Sequence, residues 1–360
     1  MAHAAEALRV PVLVPLTGFL ALEGTSQRNG AVLALSGPPA GFAVQHEVQD
    51  TATAPESAVN ALAKALGSSP PPLAVVASML GTQILAMLPL AAEREVPLLT
   101  VSGTAQVTEM GNPWVFRFFP NDAAVKVAHA RYVVEELGLK RPALLYQTTA
   151  YGQSGYQHLT QNLGRLGATV AMAEALAPTV RDYTPALAKV AESKADVLVL
   201  HLHAGPTALV IRQAREMGLK LPIVAGSALH QPSTAALLDP AELAGTCAET
   251  ASSPISGGSP EIERFAAEYQ QRFGAAPDAY ALAQYDGVQM ALAAAAAGAD
   301  TPVKLRTALA KDSYAGLAMT YRSDGAGNMA HEAVIICYQG NDRIPKIVKR
   351  YRDLDRTAAQ

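Results

Sequence analysis

Residues 73–105, LAVVASMLGTQILAMLPLAAEREVPLLTVSGTA, contain two apolar runs separated by a segment with helical spacing. The runs, LAVVAS (73–78) and VPLLTVS (96–102), are apolar at successive positions and lack the alternation of a strand with one solvated face. A helix is predicted between them, around residues 82–94. Two such strands joined through a helix predict a parallel sheet that is covered on both faces.

The same alternation of strand and helix continues along most of the chain. Further strands are predicted at 9–16, 41–50, 143–147, 195–202, 221–227, 245–251, 316–321 and 331–339, and helices at 57–67, 122–139, 153–166, 206–217, 260–273 and 279–298. Connecting segments rich in Gly, Pro, Ser and Asp are RFFPND, ASSPISGGSP and RSDGAGN. Two sets of such units predict an α/β fold with two doubly wound domains.

The composition is that of a globular protein with large cores. Of the 360 residues, 50% are hydrophobic and 16% are charged, and this length suggests two domains of comparable size. The formal net charge is −3, from 28 basic and 31 acidic side chains without a basic cluster. Nucleic acid and acidic membranes are therefore not expected partners. The Ala-rich segment 291–299 is too short to span a bilayer.

The N-terminal segment and the two cysteines bear on the cellular compartment. The N-terminal segment contains AHA and AEA, the small-residue pattern found around a signal-peptidase cut, so a mature secreted chain with an added start Met is expected. The alternative is a cytosolic protein with an Ala-rich leader. Cys247 and Cys337 lie in apolar, strand-like runs without metal spacing. They are either two buried small hydrophobes or, in an oxidising compartment, a disulfide.

The loops that follow the predicted strands carry small and hydroxyl-bearing residues. They are TGFLALEG, ASMLGTQ, TVSGTAQ, QTTAYGQSG, HLHAGP and AGSALH. None contains a P-loop lysine or the GxGxxG pattern, and AYGQSG lacks the spacing of a hydrolase nucleophile elbow. His201 and His203 have no Asp, Glu or Cys beside them, which favours one packed and one strand-end histidine over a metal site. No catalytic residue, cofactor or metal is predicted.

Taken in order, these loops and their flanking segments resemble the Leu/Ile/Val-binding protein family, the type I periplasmic solute-binding proteins of ABC transporters. The resemblance covers nearly the whole chain and is carried by PLTGFLALEG, DTATAPESAVNALAKAL, SMLGTQILAMLPLAAEREVPLLTVSGTA, the YG of TTAYGQSG, VIRQAREMGL and LAMTYRSDGAGN. It implies two Rossmann-like lobes joined by three crossovers, with a ligand clamped between them by hinge closure. The implied lobes are 1–119 with 252–325, and 120–251 with 326–360.

The resemblance also implies where a ligand carboxylate binds. The matching loops are SMLGT and TVSGT, so the carboxylate would be held by the backbone of Met79 and Leu80 and by Ser102, Gly103 and Thr104. Unpaired N–H groups at helix N-termini, completed by hydroxyls, favour an anion. The alternative is that Ser102 and Thr104 only cap the following helix.

Departures from the family pattern bear on the rest of the ligand. Ser227 stands where amino-acid binders place the acid that pairs with the ligand ammonium, so α-amino acids are expected to be excluded. His203 replaces an aromatic residue and can donate to a keto, hydroxyl or carboxylate oxygen. Tyr151 is retained and would supply a flat apolar wall.

Two further candidates, Phe19 and Glu23, lie in the N-terminal loop TGFLALEG. Glu23 stands where the family commonly has a tyrosine. It is either a solvated carboxylate at a helix start or an acceptor for a ligand hydroxyl or amine. The second reading keeps an amino-acid ligand open.

The expected function is that of an extracytoplasmic, periplasmic solute-binding protein. It would capture a small hydrophobic organic acid, an aromatic or branched 2-oxo or hydroxy acid, and deliver it to the membrane subunits of an ABC importer. A monomer without enzymatic activity is expected. The alternatives are a branched-chain amino-acid binding protein and a cytosolic amide- or ligand-sensing regulator of the same fold.

Overall fold

A computed structural model describes residues 7–37 and 42–354, which divide into two units. The first unit runs to Asn121 and includes Tyr280–Ala330, and the second comprises Asp122–Ala279 and the residues from His331 onward. The chain thus passes from one unit to the other three times. The AHA pattern predicted to follow a signal-peptidase cut lies outside the described residues.

The first part of the chain, up to residue 121, alternates short strands with helices. Its strands are β1 (Leu8–Arg9), β2 (Val12–Val14), β3 (Val44–Gln45), β4 (Val48–Asp50), β5 (Val75–Ala77), β6 (Leu98–Thr100) and β7 (Val115–Arg117). Its helices are α1 (Ala21–Leu35), α2 (Pro55–Leu66), α3 (Gly81–Glu93) and α4 (Gln106–Glu109).

The second part, residues 122–279, repeats this alternation. Its helices are α5 (Asp122–Arg131), continued by a π-helical turn at Tyr132–Glu136, α6 (Ala150–Arg165), α7 (Thr184–Glu192), α8 (Ala204–Glu216), α9 (Pro232–Ala235), α10 (Pro240–Leu243) and α11 (Pro260–Phe273). Its strands are β8 (Pro142–Gln147), β9 (Met172–Leu176), β10 (Val197–His201), β11 (Ile223–Ala225) and β12 (Thr246–Thr250), and a 3-10 turn spans Ser227–His230.

The last part of the chain returns to each unit once. The elements of the first unit are α12 (Ala279–Ala296), α13 (Pro302–Lys311), β13 (Ser313–Ala315) and β14 (Thr320–Arg322). Those of the second unit are β15 (Ala333–Cys337) and β16 (Lys346–Tyr351). No helix in the described ranges is long and apolar enough to cross a membrane.

The main sheet of the first unit is parallel, with strand order β4-β2-β5-β6-β7. Val75 packs in the cluster under α2 and α3, whereas Val76 packs with residues of α1 and α12 on the other face. Adjacent residues of β5 are therefore both buried, which explains why its sequence does not alternate. The parallel sheet covered on both faces is confirmed.

The second unit has the sheet order β16-β15-β12-β11-β10-β8-β9. Strands β9, β8, β10, β11 and β12 are parallel, and β15 and β16 are added antiparallel. In the first unit, β4 and β5 pair with opposite sides of β2, and in the second unit β9 and β10 pair with opposite sides of β8. The order therefore reverses between β2 and β5 in one unit and between β8 and β10 in the other. Ligands of open α/β sheets bind beyond the carboxyl ends of the strands at such a reversal.

The boundaries of the two units differ from the predicted lobes, most of all over residues 252–279. This segment was expected in the first lobe, but the structure groups it with the second unit. The reason lies in its hydrogen bonds. The Ser253 hydroxyl lies 2.8 Å from Nε2 of His230, and Gln231 Nε2 donates to Asp278 Oδ2 at 2.7 Å. Residues 326–330, expected in the second lobe, lie in the first unit, where Asn328 accepts a hydrogen bond from Arg117.

The two cysteines form a disulfide between β12 and β15. Cys247 and Cys337 are directly opposite each other in this antiparallel pair. The hydroxyl of Tyr132 lies 3.5 Å from the Cys247 sulfur and 3.2 Å from the Cys337 sulfur. Of the two interpretations left open by the sequence, the disulfide is the one found.

Candidate functional site

The first candidate site comprises the loops after β5 and β6, residues 78–81 and 102–104 of the first unit. Thr100, the last residue of β6, joins them: its hydroxyl donates to the carbonyl of Ser78 at 2.9 Å and accepts from the backbone N–H of Ser102 at 3.2 Å. A side chain at Gly81 would come within 2.1 Å of the Thr104 hydroxyl oxygen. The first residue of α3 is therefore in close contact with the second loop.

Ser102 and Thr104 are buried, and their hydroxyls have no hydrogen-bond partner within the described residues. The helix that follows, α4, has Ala105 at its N-cap position and no side-chain cap. The interpretation of these two residues as helix caps is therefore wrong. A buried hydroxyl without a partner is uncommon and calls for a bound group that supplies one.

Arg117, which the sequence did not indicate as a site residue, holds the loop of residues 102–104 in place. Its buried guanidinium donates to the carbonyl oxygens of Ser102 at 3.1 Å, Thr104 at 2.5 Å and Ala105 at 3.2 Å. It also donates to the Thr108 hydroxyl and to Asn328 Oδ1. Hydrogen bonds from one guanidinium to three loop carbonyls fix the backbone conformation of this loop.

The backbone N–H groups of Met79 and Leu80 have partners inside the unit. Met79 N donates to Gln27 Oε1 at 3.2 Å, and Leu80 N donates to the Ser78 hydroxyl at 3.1 Å. The prediction that these two N–H groups are unpaired donors for a carboxylate is therefore wrong. The buried hydroxyls of Ser102 and Thr104 are the better candidates.

Glu23 is 1% exposed in the first turn of α1, so its interpretation as a solvated helix-start carboxylate is wrong. Phe19, in the loop before that helix, is half-buried. A side chain at Gly24 would meet the carbonyl oxygen of Pro15 at 1.7 Å, so α1 approaches the end of β2 too closely for any residue with a Cβ. Both candidates therefore lie beside the strand-order reversal of the first unit.

The second candidate site comprises Tyr151, His203 and Ser227, each placed after a strand of the second unit. Tyr151 lies in the first turn of α6 after β8, His203 precedes α8 after β10, and Ser227 follows β11. Tyr151 and His203 therefore follow the two strands between which the order reverses. Their rings stack with centroids 5.2 Å apart, and Thr149 caps α6 by accepting from Gly152 N.

His203 is uncharged at neutral pH. Burial lowers its pKa to about 3, and its exposed fraction is 5%. Its backbone N–H donates to Gln147 Oε1 at 3.0 Å, and its Nε2 lies 3.5 Å from the Thr149 hydroxyl. The tyrosine and the neutral imidazole form a wall that can stack with an apolar or aromatic group and make one directed hydrogen bond.

A buried group of titratable side chains, which the sequence did not indicate, lies near Tyr151. Lys126 Nζ is 2.5 Å from Glu249 Oε1 and 3.9 Å from Asp122 Oδ1, and His129 Nδ1 is bonded to Glu249 Oε2. All four side chains are at most 1% exposed. Burial raises the pKa of Glu249, but Lys126 and His129 outweigh this and leave the pKa below its usual value. Glu249 is therefore ionised.

Glu249 is also close to the second candidate site. A side chain at Gly226 would lie 3.0 Å from the Tyr151 hydroxyl and 3.5 Å from Glu249 Oε1. Position 227 itself carries no acid. An acid from the neighbouring strand β12, Glu249, lies close by instead, and it is already paired with Lys126. Within the described residues, no group of three or more His, Cys, Asp or Glu could hold a metal ion.

Residues 7–341 match the periplasmic binding protein family. The chain belongs to this family. The match extends over both units and includes both candidate sites.

Relatives within the family carry different names. An amino acid binding protein of Pseudomonas aeruginosa is 28% identical over 315 residues, 84% of this chain and 82% of that protein. The Leu/Ile/Val-binding protein homolog 2 of Brucella abortus is 27% identical over 220 residues, and the match spans 59% of this chain and only 57% of that protein's length.

Solved structures show the same fold. A solute-binding protein of an ABC transporter from R. palustris, in complex with benzoate, has a TM-score of 0.87 at 19% identity, covering 97% of each chain. The two-lobed α/β architecture of type I periplasmic binding proteins is thus confirmed for this chain.

Proposed function

We propose that this protein is an extracytoplasmic solute-binding protein that captures a small hydrophobic organic acid, an aromatic or branched 2-oxo or hydroxy acid, for an ABC importer. The observation that carries the proposal is the pair of buried hydroxyls of Ser102 and Thr104, which have no partner within the described residues and lie on a loop fixed by Arg117. A ligand carboxylate would accept hydrogen bonds from both hydroxyls. No catalytic step is part of the proposal.

The second candidate site supports an apolar or aromatic body for the ligand. Tyr151 offers a ring face, and His203 offers one hydrogen bond without a charge. Ser227 supplies no counter-charge for an ammonium, and Glu249 is already bonded to Lys126 and His129. A related fold binds benzoate in R. palustris, which is an acid of the proposed class.

A branched-chain amino acid is the second candidate. It is favoured by the ionised carboxylate of Glu249 close to Gly226, and by the names of the Pseudomonas and Brucella relatives. In this case the ligand ammonium would compete with Lys126 for Glu249.

Leucine and 4-methyl-2-oxopentanoate separate the two candidates because they share one carbon skeleton and differ only at the α group. We expect calorimetry to show binding of the oxo acid or of benzoate, with leucine weaker by about tenfold or more, since its ammonium would be buried without a partner. Benzamide is the control for the carboxylate and should not bind. Tight binding of leucine without a response to either acid would contradict the proposal and support the second candidate.

The affinity for benzoate is expected to stay constant within about twofold between about pH 8 and about pH 5. His203 is neutral over this range because burial lowers its pKa to about 3. A histidine with an ordinary pKa of about 6.5 would gain a positive charge on acidification and strengthen binding of the anion. Calorimetric titrations across the range test this, with His203→Asn as the control. A rise in affinity on acidification that the control lacks would show that His203 becomes charged.

A further inference from the structure

His201, the last residue of β10, makes two contacts with Tyr151. The two ring centroids are 3.9 Å apart, and His201 Nε2 lies 3.0 Å from the backbone carbonyl oxygen of Tyr151. His201 is 1% exposed, and we assign it no contact with the ligand. One side chain thus touches both the ring and the backbone of the residue that forms the apolar wall.

Two glycines make room for this arrangement. A Cβ at Gly155, on the next turn of α6, would lie 2.0 Å from Cδ2 and 2.1 Å from Nε2 of His201. A Cβ at Gly226 would lie 3.0 Å from the Tyr151 hydroxyl and 3.3 Å from His201 Nδ1. Larger residues at positions 155 and 226 would therefore clash with the His201 imidazole or crowd the Tyr151 hydroxyl.

The contacts also define the form of the imidazole. A carbonyl oxygen only accepts, so His201 Nε2 must carry the hydrogen that it donates to Tyr151. Burial first, and then the Lys126 ammonium, lower the pKa of His201 well below its usual value, so the ring is neutral and Nδ1 carries no hydrogen. Nδ1 has no hydrogen-bond partner within the described residues.

We propose that His201, with a hydrogen on Nε2, is a positioning residue that fixes the orientation of Tyr151 for ligand binding. This inference rests on the proposed function, in which Tyr151 contacts the ligand. His201 acts from the protein interior: its ring packs at a tilt of 38° against the tyrosine ring, and its Nε2 binds the backbone of the first turn of α6. A Cβ at Gly226 would lie 3.0 Å from the Tyr151 hydroxyl, so this glycine limits the space at the hydroxyl end.

A double-mutant cycle measures whether His201 acts through Tyr151. His201→Phe keeps a ring but removes the hydrogen bond, and it is expected to weaken benzoate binding about fivefold or more. In a Tyr151→Ala background the same change is expected to alter the affinity by less than about twofold, since the residue it positions is gone. Equal losses in both backgrounds, or no loss in the first, would overturn the proposal.

A second variant covers the case in which His201→Phe fails to fold. Gly226→Ala narrows the space at the Tyr151 hydroxyl and is expected to weaken benzoate binding severalfold. Gly205→Ala in α8 is the matched control, because among the described residues no atom beyond its chain neighbours and its own helix backbone lies within 4 Å of its Cβ position, and it should bind as the parent does. Equal affinity of Gly226→Ala and the parent would count against the proposal.

A ligand-free measurement separates this inference from the proposed function. Nitrogen NMR of ¹⁵N-histidine-labelled protein, assigned with His201→Phe, should show a protonated Nε2 and a bare Nδ1 for His201. The signals of ¹³C-labelled Tyr151 should shift in Gly226→Ala and stay unchanged in Gly205→Ala. An imidazole without a hydrogen on Nε2, or an unmoved Tyr151 signal, would refute the positioning role. Failure of every carboxylate to bind would instead refute the proposed function.

Discussion

Thr104→Val is expected to weaken benzoate binding by about 10- to 150-fold. Thr104 is 1% exposed, and its hydroxyl has no hydrogen-bond partner within the described residues. The hydroxyl hydrogen is therefore available to a ligand carboxylate. A charge-assisted hydrogen bond contributes about 1.5–3 kcal/mol, and about 1.4 kcal/mol corresponds to one decade in affinity. Valine keeps the shape of the side chain, so the hydroxyl is the group removed. Isothermal titration calorimetry gives the dissociation constants directly.

Stability measurements distinguish ligand binding from a structural role. Removing a buried hydroxyl that has no partner should leave the free energy of unfolding without ligand unchanged or slightly higher. Thr234→Val is the matched control. Thr234 is also buried, and its hydroxyl has no hydrogen-bond partner in the part of the chain that the structure describes, but it lies on α9 of the second unit. Ser102→Ala should likewise weaken benzoate binding without lowering the free energy of unfolding in the absence of ligand. Parent-like affinity in both variants would show that the carboxylate has been placed wrongly.

Lys126→Met is expected to lower the free energy of unfolding by about 3–5 kcal/mol. The change removes the ammonium that lies 2.5 Å from Glu249 Oε1 and leaves an ionised carboxylate in the interior. Losing one partner of a buried ion pair costs far more than the pair itself contributes. Denaturant unfolding followed by circular dichroism measures the difference.

Two further variants test this explanation. Lys126→Met combined with Glu249→Gln should recover much of the lost stability, because the uncompensated charge is then absent. Lys189→Met removes the same kind of side chain from an ion pair with Glu174 at 2.9 Å, but Lys189 is 61% exposed, so its loss should cost about 1 kcal/mol or less. Similar losses for Lys126→Met and Lys189→Met would contradict the role assigned to burial.

The sequence predicted the parallel sheets because residues such as Val75 and Val76 are both buried and so appear as an unbroken apolar run. It missed α13, although Thr301 at its N-cap followed by Pro302 is a recognisable helix start. It also missed β16, whose residues alternate in exposure. The antiparallel addition of β15 and β16 depends on pairing with distant strands, which local patterns do not encode.

The candidate site was predictable where the chemistry is local and unpredictable where it is not. Ser102 and Thr104 follow a predicted strand, so their hydroxyls could be placed at its carboxyl end. Arg117 and Glu249 are single charged residues within apolar strands, and nothing in their neighbourhood indicates a partner. Lys126 and Glu249 are 123 positions apart, so only the fold reveals that they are paired.

The disulfide has a consequence for the connectivity of the whole chain. Cys247 and Cys337 are 90 positions apart, and the segment between them includes residues 280–330, which belong to the first unit. The bond therefore closes a covalent ring through which the polypeptide leaves the second unit and comes back to it. A protease that cuts once inside this ring leaves its two fragments linked, and they separate on a denaturing gel only after reduction. The oxidation state of Cys247 and Cys337 in the second unit thus decides whether a single cut in the first unit can release part of the chain.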